Sequence, residues 1–175
     1  MGVNLSKVEK KAKNYSHVLL VMRHAKAEPF NDKGEKQAKI VAKGLVGMKL
    51  LPDRVACSGA VRARQTLERM LKVFGDHPKV EYRQTLYDGG MQAVFDELAN
   101  AKDKTRVLMV LGHEPTVSVS CQWLASSDSD MVKLDLLNLG MSTASVVVFG
   151  SDQPFSRWQV HDAELLAVLS PKDFD

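Results

Sequence analysis

Several features that would place this chain in a specialised class of protein are scarce or missing. Its 175 residues include only two cysteines, Cys57 and Cys121, whose spacing suits neither a metal site nor a disulfide framework. No apolar run approaches the roughly 20 residues needed to span a bilayer, and the N-terminus lacks the apolar core of a signal peptide. Internal repeats and low-complexity tracts are also missing. We therefore expect one cytoplasmic domain with two buried free thiols.

Charge is present but nearly balanced. The chain has 24 Lys and Arg against 21 Asp and Glu, a formal net charge of +3, and 45% of its residues are hydrophobic, which is ordinary for a soluble globular protein. This small excess permits an anionic substrate. It does not indicate nucleic acid, which a clustered basic face would signal better. A nucleic-acid partner is therefore not expected.

Residues 1–16 read as a basic N-terminal arm ahead of the domain at 17–175. The first six residues, MGVNLS, fit the myristoylation pattern of Gly2 followed by Ser6, and four lysines come soon after them. A lipid with a basic patch can anchor a protein weakly to membranes. The pattern is short and common, and chain ends are usually loose and polar. We favour a frayed, solvated arm, and membrane binding is not expected.

Apolar runs alternate with amphipathic stretches along the rest of the chain. Strands are predicted at 17–22, 54–58, 79–83 and 106–112, and helices at 33–48, 60–74, 91–101 and 115–125. The segments 143–150 and 157–163 read as a closing antiparallel hairpin. Strands that alternate with helices predict an α/β fold whose mostly parallel sheet is covered by helices.

Unusual polar residues follow four of these strands directly. In a mostly parallel sheet, ligands bind at the carboxyl ends of the strands, near a switch in strand order. The residues found at those ends are Arg23, His24, Arg62, Asp88, His113 and Glu114. We therefore expect two imidazoles, at least two guanidinium groups and a carboxylate to converge.

This set of side chains suits phosphoryl transfer. Arginine forks match phosphate oxygens, and a neutral imidazole can attack phosphorus while a second one binds an oxygen. A nearby carboxylic acid could protonate the leaving group. The arginines supply positive charge, so no metal or other cofactor is expected. Asp88 is as readily a turn residue and Glu114 a first-turn carboxylate of a helix, and both interpretations stay open.

Four short motifs resemble those of the histidine phosphatase superfamily, in the family's order. LLVMRHAKA matches its Arg-His-Ala form, which is most similar to the bacterial SixA phosphohistidine phosphatases, and PFNDKGEKQA resembles Pro-Leu-Thr-x-x-Gly-x-x-Gln-Ala. SGAVRARQT resembles Ser-Pro-x-x-Arg-Ala-x-Gln-Thr, and VLGHEP resembles Val-Gly-His-Asn-Pro. The resemblance implies a single-domain, three-layer α/β/α fold of the phosphoglycerate mutase type.

The resemblance also implies a role for each matching residue. His24 would be the nucleophile, Arg23 and Arg62 would clamp the phosphoryl oxygens, and His113 would complete the pocket. Asp88 is the nearest match to the family's general acid, and Asn31 and Glu114 would contact substrate. Arg64, two residues from Arg62 on a helix, should point elsewhere. Gly59 departs from the family's Pro, and Glu114 from its usual Asn.

The implied function is hydrolysis of a phosphoryl group through a phosphohistidine intermediate. A short chain without room for a large capping insertion suggests an accessible pocket, so the favoured substrate is phosphohistidine on a protein. One alternative is a phosphatase or mutase of small phosphorylated metabolites. Another is a phosphate-recognition module without turnover.

Overall fold

Runs of valine and leucine form a six-stranded sheet at the centre of the protein. The computed structural model describes residues 3–26 and 32–174. The strands are β1 His17–Arg23, β2 Arg54–Ser58, β3 Lys79–Arg83, β4 Val107–Gly112, β5 Val146–Ser151 and β6 Glu164–Leu169. They lie in the order β3-β2-β4-β1-β5-β6. β1 to β4 are mutually parallel, while β5 runs antiparallel to both β1 and β6.

Helices cover both faces of the sheet. They are α1 Leu5–Lys13, α2 Asp32–Gly47, α3 Val61–Phe74, α4 Thr85–Asp88, α5 Gly90–Ala99, α6 Thr116–Leu124 and α7 Met131–Asn138, with short 3-10 turns at Phe155–Arg157 and Pro171–Phe174. Alternate residues of β1 face opposite layers: Leu20 packs with α1, α2 and α3, and Leu19 with α5, α6 and α7. The expected three-layer α/β/α class with a mostly parallel sheet is confirmed. None of the described helices is both long and apolar enough to cross a membrane.

The register of three parallel strands brings the predicted site together. Arg23 at the end of β1 lies opposite Gly112 at the end of β4, so His24 and His113 are the next residues on neighbouring strands. On the other side of β4, Cys57 lies opposite Leu111, which places Ser58 beside the same edge. The His24 N–H donates to the Gly112 carbonyl at 3.1 Å and extends the β1–β4 pairing by one residue beyond β1.

The chain differs from the sequence-based expectation near its C-terminus. The predicted strand at 157–163 is wrong, although the antiparallel hairpin exists: its second strand is β6, a continuous apolar run. The segment 157–163, in which apolar and polar residues alternate, contains a turn instead. Trp158 is buried there and donates through Nε1 to the Gln153 carbonyl. The short helices α4 and α7 were not predicted. Cys57 and Cys121 are buried free thiols, as expected.

The N-terminal segment is folded onto the domain. Asn4 caps α1 by accepting a hydrogen bond from the Lys7 N–H, and Val8 and Ala12 are buried in the core. The expectation of a frayed segment is wrong for α1, because its apolar residues recur at helical spacing and find a hydrophobic layer to cover. The division of the chain at residue 16 stays a prediction. Gly2 lies outside the described residues.

Replacing Val8 with Ala should lower the free energy of unfolding by about 1–3 kcal/mol, because a buried side chain is truncated in a packed layer. The matched control on the same helix is Lys10→Ala, an exposed position that should stay within about 0.5 kcal/mol of the wild type. Urea denaturation followed by circular dichroism measures both. Equal stability of the two variants would mean that α1 contributes nothing to the core.

Candidate active site

His24 is held in a defined tautomer at the end of β1. Its Nδ1 lies 2.8 Å from the carbonyl oxygen of Ala25. A carbonyl only accepts hydrogen bonds, so Nδ1 carries the proton and Nε2 keeps its lone pair. The Ala25 N–H donates to the Thr66 hydroxyl at 3.0 Å, and that hydroxyl donates to the Arg62 carbonyl at 2.9 Å. The loop that carries His24 is thereby tied to the first turns of α3.

The second imidazole, His113, lies beside the first. The two ring centroids are 5.2 Å apart, with the planes inclined by 57°. His113 is 8% exposed, and its Nε2 lies 2.6 Å from the Ser58 hydroxyl. Its Nδ1 is buried and has no hydrogen-bond partner among the described residues. A buried unpaired ring nitrogen is costly unless a ligand satisfies it, so its position indicates a binding site.

Burial and positive charge keep both imidazoles neutral. Burial lowers the pKa of His113 to about 4, and the positive charge of Arg62 adds to the effect, as does that of His24 whenever that ring is protonated. Burial likewise lowers the pKa of His24; the bond to Ala25 opposes that shift, and the charges of Arg62 and Arg23 reinforce it. At neutral pH the Nε2 atom of His24 is therefore available as a nucleophile.

Two guanidinium groups flank the imidazoles. Arg23 donates through Nη1 to the Met141 carbonyl at 2.8 Å, while its Nε is buried without a partner among the described residues. The Arg62 guanidinium carbon lies 5.8 Å from the centroid of the Tyr87 ring. Arg64 lies over Tyr82 instead, at 5.2 Å, as the helical spacing predicts.

The carboxylates predicted for the site make other contacts. Asp88 is exposed at the end of α4 and accepts a hydrogen bond from Gln84 at 3.3 Å. Glu114 accepts from the Ser118 N–H, the Ser118 hydroxyl and the Met141 N–H, at 3.0, 2.6 and 3.2 Å. Among the described hydrogen bonds of these two carboxylates, none goes to His24 or His113. Asn31 lies outside the described residues.

Four residues that shape the site were not predicted from the sequence. Tyr87 packs its ring edge-on to His113, with centroids 5.5 Å apart, and the other three are Ser58, Thr66 and Met141. Ser58 and Thr66 fall inside the SGAVRARQT motif, which was the available signal for them. Nothing in the sequence marks Tyr87 or Met141, because their contacts depend on how α4 and the loop after α7 fold back.

An open pocket lies beside Arg62. Its lining residues come from the start of α3 and from α4, and they are Gly59, Ala60, Val61, Arg62, Gln65, Gln84 and Tyr87. Among the described lining residues, Arg62 is the only charged one. Within the described part of the chain, no group of three or more His, Cys, Asp or Glu side chains is arranged to hold a metal ion.

Comparison with known proteins gives the following relatives. No protein-family model matches the chain. An uncharacterised protein of Mycobacterium tuberculosis is 30% identical over 138 residues, which cover 73% of this chain and 85% of that one. The structure of a candidate phosphohistidine phosphatase SixA from Nakamurella multipartitia is 28% identical, with a TM-score of 0.75 over 89% of this chain and 96% of that one. The protein histidine phosphatase SixA complexed with tungstate shares the fold, at 19% identity and a TM-score of 0.71 over 90% and 99% of the two chains.

The imidazole of His113 should titrate with a midpoint of about 4 instead of its usual 6.5. Arg62→Met should raise this midpoint because it removes a nearby positive charge, whereas Arg64→Met, two residues away, should leave it unchanged. NMR titration of the ring C–H signals gives the His113 midpoint in the wild type, in Arg62→Met and in Arg64→Met.

The same lowered pKa fixes the sign of the pH dependence of stability. The unfolded chain binds the proton more tightly than the folded protein, so the His113 contribution to stability should be lost as the pH falls from about 6.5 toward 4. A His113 midpoint near 6.5 in the wild-type protein would contradict the buried, positively charged environment described here.

Proposed function

Since the chain belongs to the histidine phosphatase superfamily, as a SixA-type member, we propose that it is a phosphatase that works through a phosphohistidine intermediate on His24. The supporting observation is the pairing of a neutral His24, whose Nε2 carries a free lone pair, with a second imidazole and two guanidinium groups. Arg23 is the last residue of β1 and His24 follows it, His113 follows β4, and Arg62 lies in the first turn of α3.

In the first step, the lone pair on His24 Nε2 forms a bond to phosphorus while the bond from phosphorus to the leaving group breaks. The hydrogen bond from Nδ1 to the Ala25 carbonyl orients the ring and stabilises the positive charge that develops on it. In the second step, water attacks the phosphoryl group, the N–P bond breaks, and phosphate is released. His24 returns to its neutral form.

The phosphoryl oxygens would be held by three side chains. Arg23 supplies its buried Nε, which has no partner among the described residues, and Arg62 supplies its guanidinium donors. When the Ser58 hydroxyl donates to Nε2 of His113, Nδ1 of that ring carries the proton and makes His113 the third side chain to donate. Because these donors are already oriented, they stabilise the charge of the transition state with little reorganisation. The cations supply the charge that a metal supplies elsewhere, so the reaction is proposed to need none.

The substrate we favour is phosphohistidine on a protein. Its leaving group departs as a neutral imidazole when the other ring nitrogen carries a proton, and that nitrogen titrates near neutrality, so departure needs little help from an acid. This suits a site in which the described hydrogen bonds of Asp88 and Glu114 go to Gln84, Ser118 and Met141 and not to His24. A role for Asp88 as the general acid stays a prediction.

Replacing His24 with Ala should lower turnover of p-nitrophenyl phosphate by about a thousandfold or more, because no covalent intermediate can form. The matched control is His77→Ala, an exposed imidazole paired with Asp53, which should retain full activity. Vanadate should inhibit the wild-type enzyme without added metal and after treatment with a chelator. Full activity in the His24 variant would rule out the mechanism.

A protein phosphorylated on histidine should be the preferred substrate over a panel of sugar phosphates. An alkoxide leaving group gains about 100-fold or more from a general acid, so sugar phosphates should be slower by a similar factor. Phosphate release is measured for each substrate, with the His24→Ala protein correcting for spontaneous loss of the labile phosphoryl group. Faster turnover of a sugar phosphate would assign the enzyme to small metabolites instead.

A further inference from the structure

The orientation of Arg23 depends on a loop that follows α7. The Met141 carbonyl in that loop accepts a hydrogen bond from Nη1 of Arg23 at 2.8 Å. A guanidinium group is planar, so fixing one terminal nitrogen also sets the direction in which the remaining donors point. The buried Nε of Arg23 has no partner among the described residues, where the Met141 carbonyl is the only hydrogen-bond acceptor that this guanidinium group contacts.

Met141 is itself held by Glu114, the residue directly after His113. Oε2 of Glu114 accepts from the Met141 N–H at 3.2 Å and from the Ser118 hydroxyl at 2.6 Å, while Oε1 accepts from the Ser118 N–H at 3.0 Å. Each carboxylate oxygen thus faces one backbone donor. Gly140, with φ of +88°, adopts a left-handed conformation that other residues rarely take, and it turns the chain so that the next N–H meets Glu114.

We propose that Glu114 is a positioning residue for Arg23, and that it acts through Met141 without touching substrate. The carboxylate anchors both ends of the connection, since Ser118 belongs to α6 and Met141 to the loop that borders the site. This role rests on the proposed function, because it concerns how the phosphoryl clamp is aimed. It is an alternative to the substrate contact that the sequence suggested for Glu114.

The three donors around Glu114 explain why a carboxylate suits this position. Ionised Glu114 only accepts hydrogen bonds, and it faces three donors. The amide of a glutamine would put its own N–H₂ against one of the two backbone N–H groups. Glu114→Gln should therefore break one backbone contact while keeping the size of the side chain. Ser118→Ala removes the hydroxyl contact alone and leaves the Met141 contact in place, so it is the matched control.

The test is a double-mutant cycle on vanadate binding, measured by calorimetry. Glu114→Gln should weaken vanadate binding about tenfold when Arg23 is present, as expected for the loss of one hydrogen bond that orients a clamp. In an Arg23→Lys background the same change should cost less than about twofold, because no planar fork remains to be aimed. Ser118→Ala should bind vanadate nearly as the wild type does. Equal losses in both backgrounds, or no loss with Arg23 present, would overturn the proposal.

A second measurement needs neither turnover nor vanadate, and so separates this proposal from the proposed function. In the free protein, the Nε–H signal of Arg23 can be identified by its disappearance in Arg23→Lys. We expect this NMR signal to shift in Glu114→Gln and to keep its position in Ser118→Ala. An unchanged Arg23 signal in a folded Glu114→Gln protein would overturn the positioning role even if the enzyme proves to be a phosphatase.

Discussion

The alignment of β1 with β4 is the constraint on which the rest of the site depends. Arg23 pairs with Gly112, so the next residue on each strand is a histidine, and neighbouring strands lie about 4.8 Å apart. The 5.2 Å between the two ring centroids follows from that spacing. A slip of one residue would turn one of the two histidines to the opposite face of the sheet. The fully buried runs of both strands prevent such a slip, because it would misplace every apolar side chain.

Electrostatics at this edge follow from the same geometry. Two imidazoles and two guanidinium groups in a partly buried space would repel one another if all were charged, and arginine does not lose its proton. Burial is the larger reason that the histidines are neutral, and this repulsion adds to it, so that the pKa of His113 falls to about 4. The result is a neutral His24 imidazole beside two permanent cations, a combination that suits an anionic ligand.

The sequence was informative where function depends on strand ends and uninformative where it depends on loops that fold back. Apolar runs followed by polar residues identified Arg23, His24 and His113, because a parallel sheet brings its carboxyl ends to one edge. Tyr87 reaches the site from α4, a helix of four residues with too short a pattern to detect. The last strand was predicted at 157–163 for a related reason. Apolar and polar residues alternate there as in a strand, but the segment around Trp158 forms a turn and the strand is β6. The packing of α1 could not be predicted from its own residues, because it depends on the apolar layer that the helix covers.

One hydroxyl, that of Thr66, joins the loop that carries His24 to the helix that carries Arg62. It accepts from the Ala25 N–H and donates to the Arg62 carbonyl, so both segments share a single atom as their common anchor. The position of the His24 loop is therefore coupled to α3 through one side chain, in addition to its coupling to β4 through the Gly112 carbonyl.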